Sequence, residues 1–140
     1  MRGLPLVPAL TDVPLSALTG CFDGVIPPVI ATCSGDGEPN VTHLSQLFFV
    51  DDDHVATSNQ FFGKTTTNLE ENPRAAILVT DSQTYDTYHL DVEFLRTETS
   101  GPVFDELRHN IEAIAALMGK QDVFALRGAD VYRVTTCRRR

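Results

Sequence analysis

The chain has few cysteines and no long hydrophobic run. Only three of its 140 residues are cysteine, namely Cys21, Cys33 and Cys137, and none of them forms a Cys-x-x-Cys pair. This odd, widely spaced set argues against a disulfide framework or a cysteine zinc site and indicates a reducing compartment. No segment approaches the roughly 20 apolar residues of a membrane helix, and the first residues lack the apolar core of a signal peptide. We therefore expect a soluble, cytoplasmic protein without a membrane partner.

Basic residues are also scarce. The chain carries 11 lysines and arginines against 19 acidic residues, a net charge of −8. A field of this sign repels phosphate backbones, so nucleic acid is not an expected partner. The basic run 138–140 is interpreted as a solvated tail.

What is present predicts one small, mainly β domain. Hydrophobic residues make up 42% of the chain and charged residues 21%, which are ordinary values for a globular protein. Six segments have the β-branched composition or the alternation of strands. These strands are expected at 29–33, 40–50, 55–58, 75–79, 88–94 and 131–134. The fold class is thus α+β, mainly β, with a six-stranded antiparallel barrel and flanking helices.

Turn and helix signals complete this prediction. Glycine-containing and acidic turns at 34–37 and 51–53 predict two hairpins in succession, and hence a meander. A helix over 63–72 is expected to stop before Pro73. A second helix should begin near Pro102 and end at Gly119, with an apolar stripe that packs on the core.

Two shorter elements are expected near the ends of the chain. Asp12 is positioned to cap a short helix that has Pro14 in its first turn. Near the other end, the segment 128–130 is interpreted as a turn that leads into the last strand.

Two motifs imitate known sites. Gly63-Lys64-Thr65 resembles the end of a P-loop, but Ser58 stands where that motif requires a glycine. The row His89-x-Asp91-x-Glu93 could hold a divalent metal on one strand face, but an ordinary polar sheet face is the favoured interpretation. We therefore predict no metal site.

The segment around Lys64 is more informative. A strand that ends in Ser58-Asn59 is followed closely by a helix start that carries Lys64 and Thr65. Amides, hydroxyls and one ammonium at a helix N-terminus suit a phosphate monoester. The alternative is a solvated lysine on a polar helix.

The run 55–65, continued by 68–75, resembles the central signature of the pyridoxamine phosphate oxidase-like flavoproteins. The resemblance implies an FMN-binding split barrel and a homodimer in which each flavin lies in a groove between subunits. It suggests an N-terminal arm and short helix over 1–21, the FMN-binding domain over 22–137 and a basic tail over 138–140.

The same resemblance implies the cofactor-binding residues. Lys64 corresponds to the family's phosphate-binding lysine, and the strand end at 58–59 corresponds to the segment beside the flavin ring. The full set of candidates is His43, Ser45, Gln46, Ser58, Asn59, Gln60, Lys64 and Thr65.

The sequence also departs from the oxidase itself. Where the oxidase has an arginine and a lysine on one strand and a Ser-Arg pair before the helix lysine, this chain has Thr42, Leu47, Phe62 and Gly63. The oxidase's C-terminal Arg-Leu-x-Pro motif is absent. The resemblance therefore implies a divergent member that binds FMN, a deazaflavin or haem. An oxidoreductase acting on an unidentified small molecule is the first hypothesis. A non-catalytic sensor or carrier is the second, and a purely structural dimer the third.

Overall fold

The computed structural model describes residues 11–59, 63–117, 119 and 126–140. It confirms a mainly β fold with two α-helices. Short 3-10 turns at Leu15–Ala17 and Thr19–Cys21 precede the main sheet. The strands and helices, in chain order, are β1 (Thr11–Asp12), β2 (Val29–Cys33), β3 (Pro39–His43), β4 (Leu47–Asp51), β5 (His54–Asn59), α1 (Lys64–Glu71), β6 (Arg74–Thr80), β7 (Thr87–Glu98), α2 (Pro102–Leu117) and β8 (Gly128–Arg139).

The strands form one antiparallel sheet in the order β3-β2-β6-β7-β8-β5-β4, with the two-residue β1 paired to β8. The outermost strands β3 and β4 are joined only by residues 44–46, so the sheet must curl until its two edges meet. The hydroxyl oxygen of Ser45, in this connection, lies 3.3 Å from that of Ser58 on β5. Within the described residues no ladder of backbone hydrogen bonds joins β3 to β4. The sheet is therefore open between β3 and β4, and we call this opening the seam.

The seam corrects the sequence prediction of a single strand over 40–50. Residues 44–46 lie between two ladders, because β3 pairs with β2 whereas β4 pairs with β5. The Leu44 amide still donates to the Pro28 carbonyl, next to β2, at 2.8 Å, and the Gln46 side-chain amide donates to the Phe22 carbonyl at 2.7 Å. The main path consequently has seven strands instead of six. The predicted meander is also wrong, since the two hairpins β2–β3 and β4–β5 lie at opposite ends of the sheet.

The core lies on both faces of the curled sheet. Neighbouring residues of β5 illustrate this, because Val55 belongs to the large cluster and Ala56 to a smaller one. Successive strand residues face opposite sides, so the two clusters lie on opposite faces of the barrel wall. The large cluster contains Leu15, Leu18, Cys21, Ile30, Leu47, Val55, Leu69, Ile77, Val79, Tyr88, Leu90, Val92, Tyr132 and Cys137.

The predicted helix boundaries are close to those observed. Helix α1 begins at Lys64 and ends before Asn72 and Pro73, as predicted. Helix α2 packs through Leu107 against the smaller cluster. Its expected apolar stripe is only partly buried, since Ile114 is 43% exposed. Among the described residues no helix is long and apolar enough to cross a membrane.

The two ends of the chain differ from the prediction. Asp12 lies in β1 and does not cap a helix; the first 3-10 turn follows Pro14 without a side-chain cap. This turn contributes Leu15 to the main core, so it packs as part of the barrel.

Strand β8 is longer than expected in both directions. It begins at Gly128 and ends at Arg139, so residues 128–130 are not a turn and Arg138 and Arg139 belong to a strand instead of a tail. A Cβ atom at Gly128 would lie 2.5 Å from Cγ2 of Thr97. The close approach of β7 therefore explains why a glycine begins β8.

Candidate functional site

A cleft of about 530 Å³ opens at the seam. Its walls are formed by β3, the bridging segment at residues 44–46, the end of β5 and the first turn of α1, and two residues of β8 complete it. The lining residues are Asn40, Val41, Thr42, His43, Leu44, Ser45, Thr57, Ser58, Asn59, Gly63, Lys64, Thr65, Thr66, Asp130 and Tyr132.

The first turn of α1 supplies hydrogen-bond donors at one end of the cleft. Gly63 occupies the N-cap position in an extended conformation and, as a glycine, has no side chain that could cap the helix. The first amide groups of a helix have no partners within it, and the helix dipole adds partial positive charge there. Asn40 donates through Nδ2 to Thr65 Oγ1 at 3.3 Å, which ties this turn to β3. This end of the cleft suits an anion.

Lys64 already has an acidic partner in the protein. Its ammonium forms an ion pair with the carboxylate of Glu38, which precedes β3. The Lys64 hydrogen bond and charge lower the pKa of Glu38. Both side chains are substantially exposed, so water screens the pair and its contribution to stability is small. An anion bound at this end would compete with Glu38 for the ammonium.

Buried polar groups form the floor of the cleft. Asp130 is 7% exposed and accepts a hydrogen bond from Thr97 Oγ1 at 2.6 Å. The Asn59 side chain also donates to this carboxylate. Burial raises the pKa of Asp130 above its ordinary value, although the two hydrogen bonds oppose that shift. The oxygen of the Asn59 amide, Oδ1, is buried and has no hydrogen-bond partner within the described part of the chain.

A second buried pair lies beside Asp130. Thr57 is opposite Asp130 in the β5–β8 ladder, and its hydroxyl lies 3.2 Å from that of Tyr132. Burial raises the pKa of Tyr132 well above its ordinary value, so the phenol stays neutral. The two hydroxyls pair with each other, whereas the Asn59 oxygen has no partner among the described residues.

Together these groups fit a phosphorylated ring. Uncapped amides, hydroxyls and the Lys64 ammonium offer donors to a phosphate. The floor offers the buried Asn59 acceptor to a ring donor. A flavin mononucleotide carries both kinds of group.

Six of the eight sequence candidates line this cleft. Gln46 does not, because its amide is bonded to Phe22, and Gln60 lies outside the described residues. The six that the fold brings together are His43, Ser45, Ser58, Asn59, Lys64 and Thr65.

Sequence reasoning missed Glu38, Asn40 and Asp130. Glu38 and Asn40 flank Pro39 and had no motif to mark them. Asp130 was placed in a turn, and only its alternation with Tyr132 along the strand could have indicated a shared face.

The polar row of β7 does not meet the cleft. His89 Nε2 lies 2.9 Å from Asp91 Oδ1, and Thr136 Oγ1 donates to Asp91 Oδ2 at 2.6 Å. Glu93 pairs with Arg133. These side chains thus form hydrogen bonds and an ion pair within the sheet. The described residues hold no cluster of three or more metal-ligating groups.

The raised pKa of Asp130 predicts a specific pH dependence of stability. The folded state binds this proton more tightly than the unfolded chain, whose value is near 3.8. The stabilisation is complete below the unfolded pKa and is lost as pH rises through the folded pKa. We expect Asp130→Asn to become more stable relative to the parent as pH rises from about 4 to about 7.

Urea unfolding across this pH range measures the difference. Asp105→Asn, which changes an exposed carboxylate on α2, is the matched control and should show no comparable trend. A parent-to-Asp130→Asn difference that stays constant with pH would contradict the assignment.

Comparison with known proteins identifies the family. The family model for pyridoxamine 5'-phosphate oxidase matches residues 26–135. No curated protein sequence matches the chain. Solved structures with the same fold include an FMN-binding protein from Syntrophomonas wolfei, with 20% identity, 89% and 86% of the two chains covered and a TM-score of 0.72.

Two further structures show how widely this fold is shared. An F420 reductase is 15% identical, with 94% of this chain and 98% of that chain covered and a TM-score of 0.60. The haem storage protein HutZ from Vibrio cholerae is 15% identical, with 79% and 80% covered and a TM-score of 0.55. These similarities describe the fold, whereas the family model spans well over half of the sequence. The chain therefore belongs to the pyridoxamine 5'-phosphate oxidase family.

Proposed function

We propose that the protein is an FMN-binding oxidoreductase that acts on an unidentified small molecule. The observation that carries this proposal is the pairing, in one cleft, of an uncapped helix start beside Lys64 with a buried, unpaired acceptor on Asn59. A helix start suits the phosphate, and the unpaired acceptor suits a ring donor. The FMN-binding protein of the same fold supports this choice of cofactor.

In this proposal the residues of the protein bind and orient the cofactor. Lys64 and the amides of the first α1 turn hold the phosphate, and the Thr65 hydroxyl can add a hydrogen bond. Asn59 and the hydroxyls of Ser45 and Ser58 lie along the ring end of the cleft. Bound FMN supplies the hydride or electron transfer, so the chain needs no dedicated acid or base.

We further propose that the protein works as a homodimer in the cytoplasm. Val41 on β3 is 66% exposed and Phe49 on β4 is 39% exposed, so apolar side chains stand on both edges of the seam. A two-fold interface would cover them and enclose the cleft. Free cysteines, including the buried Cys21 and Cys137, suit a reducing compartment.

One preparation tests the cofactor and the assembly together. The protein purified with added FMN should show flavin absorbance bands, release FMN on denaturation as identified by mass, and scatter light as twice its 15.4 kDa mass. Reduction by a chemical donor and reoxidation by an acceptor then separate an enzyme from a carrier. A colourless protein that FMN does not titrate would overturn the proposal.

A haem carrier is the second candidate. His43 lines the cleft, and a neutral imidazole is a common haem iron ligand. The haem storage protein HutZ shares the fold. A Soret band that appears on titration with haem and disappears in His43→Ala would favour this candidate over FMN.

A further inference from the structure

We propose that Asn59 determines cofactor specificity by selecting a ring that carries an imide N–H group. Its Oδ1 atom is buried at the end of β5 and has no hydrogen-bond partner among the residues that the structure describes. Buried acceptors are normally paired, so an exception beside a cleft indicates a donor that arrives with the ligand. This inference rests on the proposed function, because it concerns the same cleft.

Asp130 fixes the orientation of the Asn59 amide. The Asn59 nitrogen donates to the Asp130 carboxylate, which Thr97 Oγ1 holds from the other side at 2.6 Å. A carboxylate is an acceptor and cannot pair with the amide oxygen, so turning the amide over would place two acceptors together. The oxygen is thereby kept available as an acceptor, and Asp130 acts as a positioning residue.

The chemistry of this floor distinguishes the cofactor classes. Flavins and deazaflavins each carry one imide N–H, which can donate to Asn59. The rim of a haem carries apolar substituents and carboxylates and has no such donor. Haem carboxylates near Asp130 would also meet an acidic group in a poorly solvated place. The floor therefore favours the flavin-type ring and disfavours haem.

The experiment compares FMN with N3-methyl-FMN, in which a methyl group replaces the imide hydrogen. We expect the parent protein to bind FMN about ten- to a hundredfold more tightly, as the loss of one buried hydrogen bond implies. Haem, titrated in the same buffer, should bind more weakly than FMN. Binding is followed by flavin fluorescence and haem absorbance, independently of any activity.

Asn59→Leu separates hydrogen bonding from size. Leucine has the same branched arrangement of side-chain heavy atoms as asparagine but no acceptor, so the ratio of the FMN and N3-methyl-FMN affinities should fall towards one. If the preference came from crowding by the methyl group, it would persist in this variant. Asp105→Asn, a change on α2 away from the cleft lining, is the control and should keep the parent's preference.

The outcomes distinguish this inference from the proposed function. Equal affinity of the parent for the two flavins, or a preference unchanged in Asn59→Leu, would overturn the inference while leaving FMN binding intact. Haem binding as tight as that of FMN would also overturn it. Failure of both flavins to bind would overturn the proposed function and the inference together. The two-flavin comparison on the parent needs no variant, so a folding defect in Asn59→Leu cannot obscure it.

Discussion

Replacing Lys64 with alanine should weaken FMN binding about ten- to a hundredfold. This range corresponds to the loss of a charge-assisted hydrogen bond of about 1.5–3 kcal/mol. Lys64 is the only lysine or arginine among the described residues that line the cleft, so no other side-chain cation there replaces it. Fluorescence titration of the parent and of Lys64→Ala with FMN measures the effect.

Riboflavin, which has the same ring and no phosphate, is the internal control. Its affinity should be nearly equal in the parent and in Lys64→Ala, since the lysine is assigned to the phosphate alone. Arg108→Ala removes the same charge from α2, away from the cleft lining, and should leave both affinities unchanged. An equal loss for FMN and riboflavin in Lys64→Ala would show that the lysine does not act through the phosphate.

The Glu38 partner supplies the opposite perturbation. Because its carboxylate competes for the Lys64 ammonium, Glu38→Gln should strengthen FMN binding and leave riboflavin binding unchanged. The ion pair is exposed, so the gain should be smaller than the loss in Lys64→Ala. Weaker FMN binding in Glu38→Gln would contradict this competition.

Oxidation of pyridoxamine or pyridoxine phosphate should be negligible even with saturating FMN. A phosphorylated substrate needs cations of its own in addition to those that hold the cofactor phosphate. The cleft lining offers Lys64, which is paired with Glu38, and it includes the acidic Asp130. The sequence also lacks the Arg-Leu-x-Pro motif of the oxidase.

The assay is the aerobic formation of pyridoxal phosphate by protein whose FMN content has been measured first. An authentic pyridoxamine phosphate oxidase under the same conditions shows that the assay works. Turnover of about 1 per second or more, within the ordinary enzyme range, would overturn the charge argument. Less charged electron acceptors, offered to chemically reduced protein, should then be compared by their rates of flavin reoxidation.

The strand signals predicted the fold class, but periodicity alone could not locate the seam. The segment 40–50 contains no glycine or proline that would mark a break, so the sequence resembles one long strand. The break depends on a change of pairing partner, since β3 pairs with β2 and β4 pairs with β5. Local patterns carry no information about such partners, and this is why the strand count and the meander were wrong.

The residues of the candidate site were likewise only partly predictable from the sequence. Lys64, Thr65 and Asn59 lie within one continuous motif, so a resemblance over some twenty residues could identify them. Asp130 enters the cleft through the pairing of β8 with β5, which joins residues more than seventy positions apart. Its role depends on that register, and the glycine and aspartate around it are equally typical of a turn.

The bridging segment at residues 44–46 also limits how far the cleft can open. Four peptide steps join His43 to Leu47, so their Cα atoms can never be more than about 15 Å apart. The chain itself therefore limits the separation of the two walls at this end, even if the hydrogen bonds around them break. If the cleft widens, its walls must rotate about this short connection, and the widening is greatest at the opposite end, beside the first turn of α1. A molecule too broad for the end beside residues 44–46 must therefore enter the cleft from the opposite end, past Lys64.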